Sequence, residues 1–249
     1  MQAFLLAAGL GSRLKPLTDT MPKALVPIAG RPLLDHTIEK LETSGVNKIV
    51  INIHHFAEQI KEYINTHKYD SEILLSDESL QLLETGGGLK FAEQLFDKDE
   101  PILIHNVDII SNANLKKLYE LGKENAAVLL VSERKTQRYL LFDNDNTLVG
   151  WTNIATGEVK SPYKNLNVEN CKRYAFSGIH TFSPTLFQLM KNFPDKFSII
   201  DFYLDVCDKI KIHAFHQTNL NLIDVGKCDT LAKAETIFKN NNQSLHTQS

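Results

Sequence analysis

Short apolar runs separated by stretches of helical periodicity are what most narrows the fold of this chain. Ala3 to Ala8, Lys48 to Ile53 and Glu72 to Leu75 read as strands, the first two apolar enough to be buried on both faces. Between the first pair, Leu34, Ile38 and Leu41 recur at helical spacing, with Pro32 at a first helical position and Gly45 as a stop. Phe56, Ile60, Tyr63 and Ile64 make a second helical stripe before the third strand. Strand, helix, strand, helix in that order predicts a parallel sheet with right-handed crossovers. Pro101 to His105 and Ala126 to Val131 add strands, and between them a helix carries Leu115, Leu118 and Tyr119 and ends near Gly122.

After residue 131 the pattern changes. Tyr139 to Phe142 and Thr147 to Trp151 flank Asp143-Asn144-Asp145-Asn146, a turn-rich tetrad that reads as a hairpin. It lacks the glycine and terminal glutamate of an EF-hand loop. Lys172 to Phe182 reads as a long strand, followed by short helices from about Pro184 to Asn192 and Ile199 to Lys209. Leu220, Leu222 and Ile223 form a last short strand ending at Asp224, and Leu231, Ala234 and Ile237 open a final helix.

The first strand empties into a loop holding Gly9, Gly11, Ser12, Arg13, Lys15 and Lys23, with Asp19 the one acid close by. Glycines let backbone N–H groups approach a ligand, and the cations point to an anionic one, such as a polyphosphate. Two common phosphate-loop motifs fail. A dinucleotide G-x-G-x-x-G needs glycine where Leu14 stands, and the second strand ends at Asn52 and Ile53 with no acid for a ribose. No Walker A follows Gly9, and Gly226-Lys227 is followed by Cys228.

The string A-A-G-x-G-S-R-L-x-P-L-T, then P-K-A-L-V-P-I-A-G-R-P-L, covers Ala7 to Leu33 and resembles the signature of the sugar-1-phosphate nucleotidylyltransferases. That resemblance implies an α/β fold: a Rossmann-like mixed, mostly parallel sheet flanked by helices, the nucleotide-diphospho-sugar transferase fold. No internal repeat or linker interrupts the chain, so one domain is expected over residues 1–239, nucleotide-binding to about 135 with a sugar-binding part from about 136, and the polar run 240–249 reads as a disordered tail.

Site residues follow by matching motifs. Three consecutive glycines, Gly86 to Gly88, cost roughly 1 kcal/mol each inside a helix. They are read here as a backbone surface beside a flat ligand where a helix begins, or as an ordinary turn. In the resembling family this stretch touches the base, which makes Glu84, Thr85 and Gly86 base-side candidates. The implied nucleotide-binding set is Ala8, Gly9, Gly11, Ser12, Arg13, Lys23, Glu84, Thr85, Gly86 and Asn106. Asp108 follows a central strand, where open parallel sheets bind ligands, and Asn112 or Asn114 can cap the next helix in its place. Asn106-Val107-Asp108 and Ile223-Asp224-Val225-Gly226 stand where the family has its two metal aspartates, so Asp108 and Asp224 are the expected Mg2+ ligands.

The implied reaction is attack of a sugar 1-phosphate on a nucleoside triphosphate, releasing pyrophosphate, with Arg13, Lys23 and Asp108 catalytic. On the sugar side, Trp151, Asn153, Ser177 and Gly178 are the candidates. Gly150-Trp151-Thr152-Asn153 replaces the family's usual Glu-Lys-Pro, so the cation for the acceptor phosphate is unassigned. L-E-T-G-G-G with F-S-G-I is most similar to the N-acetylmuramate 1-phosphate uridylyltransferases, which favours UTP. Mannose or heptose 1-phosphate guanylyltransferases are the alternative, and a non-catalytic nucleotide-sugar-binding module is an alternative of another class.

Charge and cysteine content narrow the partners. The 249 residues carry 27 lysines and arginines against 30 acids, a net charge of −3, so no overall basic field favours nucleic acid or anionic lipid. Hydrophobic content of 43% suffices for a sizeable core. Cys171, Cys207 and Cys228 are odd in number and unpaired in spacing, which argues against a disulfide framework or zinc site and for a reduced cytoplasmic protein. The first apolar run lacks the basic segment of a signal peptide, and no stretch approaches a membrane span. A monomer or homodimer is expected. His54-His55 are read as surface or helix-flanking residues, and the Asn242 sequon as incidental.

Overall fold

A computed structural model describes residues 1–226 and 229–235 of the chain. In chain order, β1 (Gln2–Leu6) leads to a two-residue pair, β2 (Pro27–Ile28) and β3 (Arg31–Pro32), and then α1 (Leu33–Thr43). β4 (Lys48–Ile53), α2 (Ala57–Thr66), β5 (Glu72–Asp77), α3 (Glu84–Phe91), β6 (Ile102–Asn106), β7 (Ile109–Ser111) and α4 (Leu115–Glu124) complete the first part. β8 (Ala127–Ser132), β9 (Arg138–Phe142), β10 (Leu148–Asn153), β11 (Glu158–Lys160) and β12 (Lys172–Phe182) follow. α5 (Phe187–Met190), α6 (Ile199–Val206), β13 (Ile212–His216) and β14 (Leu222–Asp224) come last, with residues 229–235 helical.

Ten strands form one mixed sheet in the order β11-β10-β9-β12-β6-β1-β4-β5, with β8 paired to β12 and β13 to β8. β6, β1, β4 and β5 run parallel, as the strand-helix alternation predicts. β12 is antiparallel to β6, β8 and β9 and joins the two halves. Alternation along β1 shows why its run is apolar throughout. Ala3 and Leu5 pack with Leu34, Ile38 and Ile60 on one face, while Phe4 packs with Leu89, Phe96 and Phe202 on the other. A strand covered on both faces has no polar side to present.

Several boundaries differ from the sequence reading. β1 ends at Leu6, because the N–H groups of Ala7 and Ala8 donate to the Asn52 side chain at 2.7 and 3.3 Å and leave the ladder. Pro32 closes β3, and α1 starts one residue later. Phe56 flanks α2 in a left-handed conformation instead of lying within it. Gly122 does not end α4, which runs to Glu124. A Cβ there would stand 2.7 Å from Thr181, so the glycine lets the helix lie against β12. The helix expected from Pro184 is a single 3-10 turn followed by α5.

β7, β11 and β13 were not legible. The first two are three residues long, and the alternation of β13 is blurred by His213 and His216. Asn114 caps α4, accepting from Lys117 N–H at 3.0 Å. The tetrad forms the β9–β10 turn, with Asp143 Oδ1 accepting from the N–H groups of Asp145 and Thr147. Cys171 and Cys207 are free thiols. Cys228, Ile237, the sequon and the expected tail lie outside the described residues.

Candidate active site

The carboxyl ends of β1, β4 and β6 open into a cleft of about 370 Å³, where parallel sheets place ligands. Ala8, Gly9, Lys23, Glu84, Thr85, Asn106 and Asp108 line it, together with Asn52 and Ser198. Residues from six separate segments thus reach one space. Lys23 is 8% exposed, and its ammonium pairs with the Asp108 carboxylate. A cation buried to this degree requires such a partner. The ladder between β7 and β14 sets Asp224 opposite Ile109, and Val225 N–H donates to Asp108 C=O at 2.8 Å. Two acids 116 residues apart are thereby brought near each other, Asp224 at the end of β14 and Asp108 in the turn that leads into β7.

Arg13, Gly11, Ser12 and Asp224 do not line this cleft. A Cβ on Gly226 would lie 2.6 Å from both an Arg13 Nη and Asp224 Oδ1, so guanidinium and carboxylate both stand close over that glycine. Gly226 N–H donates to the same Oδ1 at 2.8 Å. Gly11 has φ +63°, and a Cβ there would stand 2.8 Å from Thr18 and 3.0 Å from Lys23 Cβ, so both backbone and space demand glycine. Lys15 is instead paired with Asp19 at 3.0 Å on the exposed surface.

The triple glycine has a different reason from the one read in the sequence. All three residues lie within α3, buried, and each faces protein. An added Cβ would meet the Phe197 ring at 2.4 Å from Gly86, Asp195 C=O at 2.0 Å from Gly87 and Glu78 Oε1 at 2.4 Å from Gly88. Gly86 does not reach the cleft, and its N–H donates to Phe197 C=O at 2.9 Å. Glu84 and Thr85 do reach it. Glu84 has φ +64°, an unfavourable conformation for a residue with a Cβ, and it turns the chain into α3 at the cleft wall. Thr85 Oγ1 accepts from Ile199 N–H at 2.9 Å, tying α3 to the start of α6.

Asn52 and Glu78 were missed as site residues. Besides holding Ala7 and Ala8, Asn52 donates to Glu78 Oε1 at 2.8 Å, and Glu78 Oε2 accepts from Leu83 N–H at 3.2 Å. Burial raises the Glu78 carboxyl above its ordinary value. One buried chain of hydrogen bonds therefore connects the first loop to α3. The available signal was a polar residue, Asn52, inside the apolar run of β4.

A second cleft of about 550 Å³ lies over one face of β9, β10 and β11 and contains Trp151 and Asn153. Pairing of Arg138 with Asn153, and of Trp151 with Lys160, puts those four side chains on that face. Lys160 Nζ sits 5.4 Å from the Trp151 ring centre. The Arg138 guanidinium has no partner among the described residues. Ser198 lines both clefts, so they meet there.

Ser177 and Gly178 reach neither cleft. They lie where β12 bulges against β8, and Ser177 is turned inward, 1% exposed, with its Oγ unpartnered among the described residues. Gly178, at φ +73°, leaves room for the Asn106 side chain, 2.8 Å from where its Cβ would be.

A family model described as Nucleotidyl transferase matches residues 2–241. The chain belongs to that family. It is 41% identical over 111 residues to the N-acetylmuramate alpha-1-phosphate uridylyltransferase of Caulobacter vibrioides, covering 43% of this chain and 46% of that one. Over 204 residues it is 30% identical to the mannose-1-phosphate guanyltransferase of Debaryomyces hansenii, covering 78% of this chain and 53% of that protein. These matches span about half the length of the relatives. Among solved structures, HddC from Yersinia pseudotuberculosis complexed with GMP-PN is 25% identical with a TM-score of 0.74, covering 95% of this chain and 99% of that one. A UDP-glucose pyrophosphorylase complexed with UDP-glucose shares the fold at a TM-score of 0.77 and 16% identity.

Proposed function

We propose that the protein transfers a nucleoside monophosphate from a nucleoside triphosphate, UTP favoured, to a sugar 1-phosphate resembling N-acetylmuramate 1-phosphate. The observation that carries this reading is the convergence of Lys23 and Asp108 on one cleft, with the Asp224 segment bonded to Asp108 through Val225 N–H and Arg13 beside Gly226. In the reaction an acceptor phosphate oxygen forms a bond to the α-phosphorus. The bond from that phosphorus to its bridging oxygen breaks, and pyrophosphate leaves with the electron pair. A phosphate monoester has a second pKa of roughly 6, so the nucleophile is largely ionised near neutrality and needs no general base.

Repulsion between two polyanions is then the main barrier, opposed by positioning and fixed positive charge. Lys23 in this reading meets the α-phosphate, and Arg13 the leaving phosphates. Glu84 and Thr85 face the base, and the N–H groups of the Ala8–Gly9 turn face the phosphates. Asn52 holds that turn in place. Trp151 and Asn153 flank the sugar, with Arg138 as the cation for the acceptor phosphate in place of the missing Glu-Lys-Pro lysine.

Asp108, in the turn before β7, and Asp224, at the end of β14, are hard oxygen donors on neighbouring segments and suit Mg2+, which takes one or two carboxylates and completes its shell with phosphate and water. Bound there, the ion would supply charge neutralisation between the reacting phosphates.

Guanylyl transfer to mannose 1-phosphate is the second reading, favoured by the longer match to a mannose-1-phosphate guanyltransferase. Pyrophosphate release from a panel of nucleoside triphosphates and sugar 1-phosphates with Mg2+ separates the two. Turnover with UTP and N-acetylmuramate 1-phosphate supports the first. Preference for GTP and mannose 1-phosphate supports the second, and binding without turnover of any pair would favour a non-catalytic nucleotide-sugar module.

A further inference from the structure

On the opposite face of β6 from the nucleotide cleft lies a cavity of about 480 Å³, a volume suited to a small organic molecule. Successive strand residues point to opposite faces, so Asn106 reaches the nucleotide cleft while His105 reaches this cavity. Lys40 of α1 lines one wall. Ile109, Ile110 and Ile223, from the β7–β14 ladder, line the other.

Two nitrogens here are unmet. His105 is 1% exposed, and its Nδ1 lies 2.8 Å from Asn106 C=O, to which it donates. Burial pushes the imidazole down to about 4, so it is neutral near pH 7 and Nε2 is a lone-pair acceptor. No donor reaches that atom among the described residues. Lys40 is the second. Its ammonium has no hydrogen-bond, ion-pair or ring partner among the described residues, and burial lowers its pKa. Its neighbour Glu39 is occupied by Arg31 at 2.7 Å. Leaving a nitrogen such as His105 Nε2 buried and unpaired is costly, whereas Lys40 is half-buried; a ligand that meets both recovers the cost at the histidine and gives the ammonium a counter-charge.

We propose that this cavity binds a small hydroxylated organic acid. Its hydroxyl donates to His105 Nε2, its acidic group meets the Lys40 ammonium, and its hydrocarbon body lies against the three isoleucines. None of the residues assigned to nucleotidyl transfer is required, so the site stands or falls independently of that reaction.

The test is calorimetric titration and saturation-transfer NMR of the full chain with 3-hydroxybenzoate and 4-hydroxybenzoate, with benzoate as the acid lacking the donor. One hydroxybenzoate is expected to bind with a Kd of a few millimolar or tighter. Affinity should fall at least tenfold in Lys40→Met and Lys40→Gln, whose folds are checked by circular dichroism, and at least threefold for benzoate. Failure of both hydroxybenzoates to bind, equal binding of benzoate, or unchanged affinity in a folded Lys40 variant would overturn the proposal.

Discussion

At the scale of single residues, Lys23 and Asp108 carry the most consequence because each is the other's counter-ion in a confined space. Lys23→Met should lower kcat by roughly 10²–10³-fold, the usual cost of losing one preorganised charge at a developing anion, as read by pyrophosphate release. Asp108→Asn and Asp224→Asn should each abolish Mg2+-dependent turnover while the protein stays folded. Most activity retained in both would remove the metal assignment.

Gly9 separates binding from folding at the same scale. Nothing lies within 4 Å of an added Cβ there, so Gly9→Ala should leave the melting temperature unchanged while raising KM for the nucleotide.

Buried histidines set an acid limit on stability. Burial pushes His105 down to about 4 and His180 to about 3, from an ordinary value near 6.5. Between about pH 6.5 and 4 the unfolded chain therefore binds protons that the folded chain refuses, and stability falls as pH falls. At pH 5 each group costs about 2 kcal/mol. His180→Leu should flatten the acid limb of urea-denaturation stability measured from pH 7 to 5, and an unchanged slope would refute this origin.

At the scale of elements, α3 is a helix whose composition opposes its conformation. Replacing one of its glycines by alanine gains roughly 1 kcal/mol of intrinsic helix propensity. At Gly87 the added Cβ would lie 2.0 Å from Asp195 C=O, and backbone does not yield as a side chain can. Overpacking of this kind costs about 1–3 kcal/mol, so the clash wins, and Gly87→Ala should lower the urea midpoint. A raised midpoint would show that α3 owes nothing to this contact. Sequence reasoning found the glycines and their unusual cost, yet assigned them to a ligand. The surfaces they meet, at Glu78, Asp195 and Phe197, are distant in the chain and carry no local mark.

For the whole molecule, the parallel and antiparallel parts share one sheet through β12, and the two clefts join at Ser198. Ligands bound by the native state alone stabilise it by mass action, about 2.7 kcal/mol at a hundredfold excess over Kd. For a chain of this size that is a rise in Tm of roughly 5–10 °C. Nucleoside triphosphate with Mg2+ should produce it in a thermal-shift assay, and a chelator should remove most of it. A shift indifferent to chelation would argue against the two carboxylates as metal ligands.

The local pattern alone determined the parallel strands, the helices between them and the loop that gathers Gly9, Gly11, Arg13 and Lys23 after the first strand. Each of these depends on periodicity or on a short run of fixed spacing, which neighbouring residues express by themselves. Only the tertiary structure decided that Asn52 and Glu78 brace the loop, that Ser177 turns inward at a bulge, and that Gly86 faces Phe197. Those roles depend on which surfaces meet after the chain has crossed the sheet. Contacts between residues far apart in sequence follow from packing, and packing leaves no period to read.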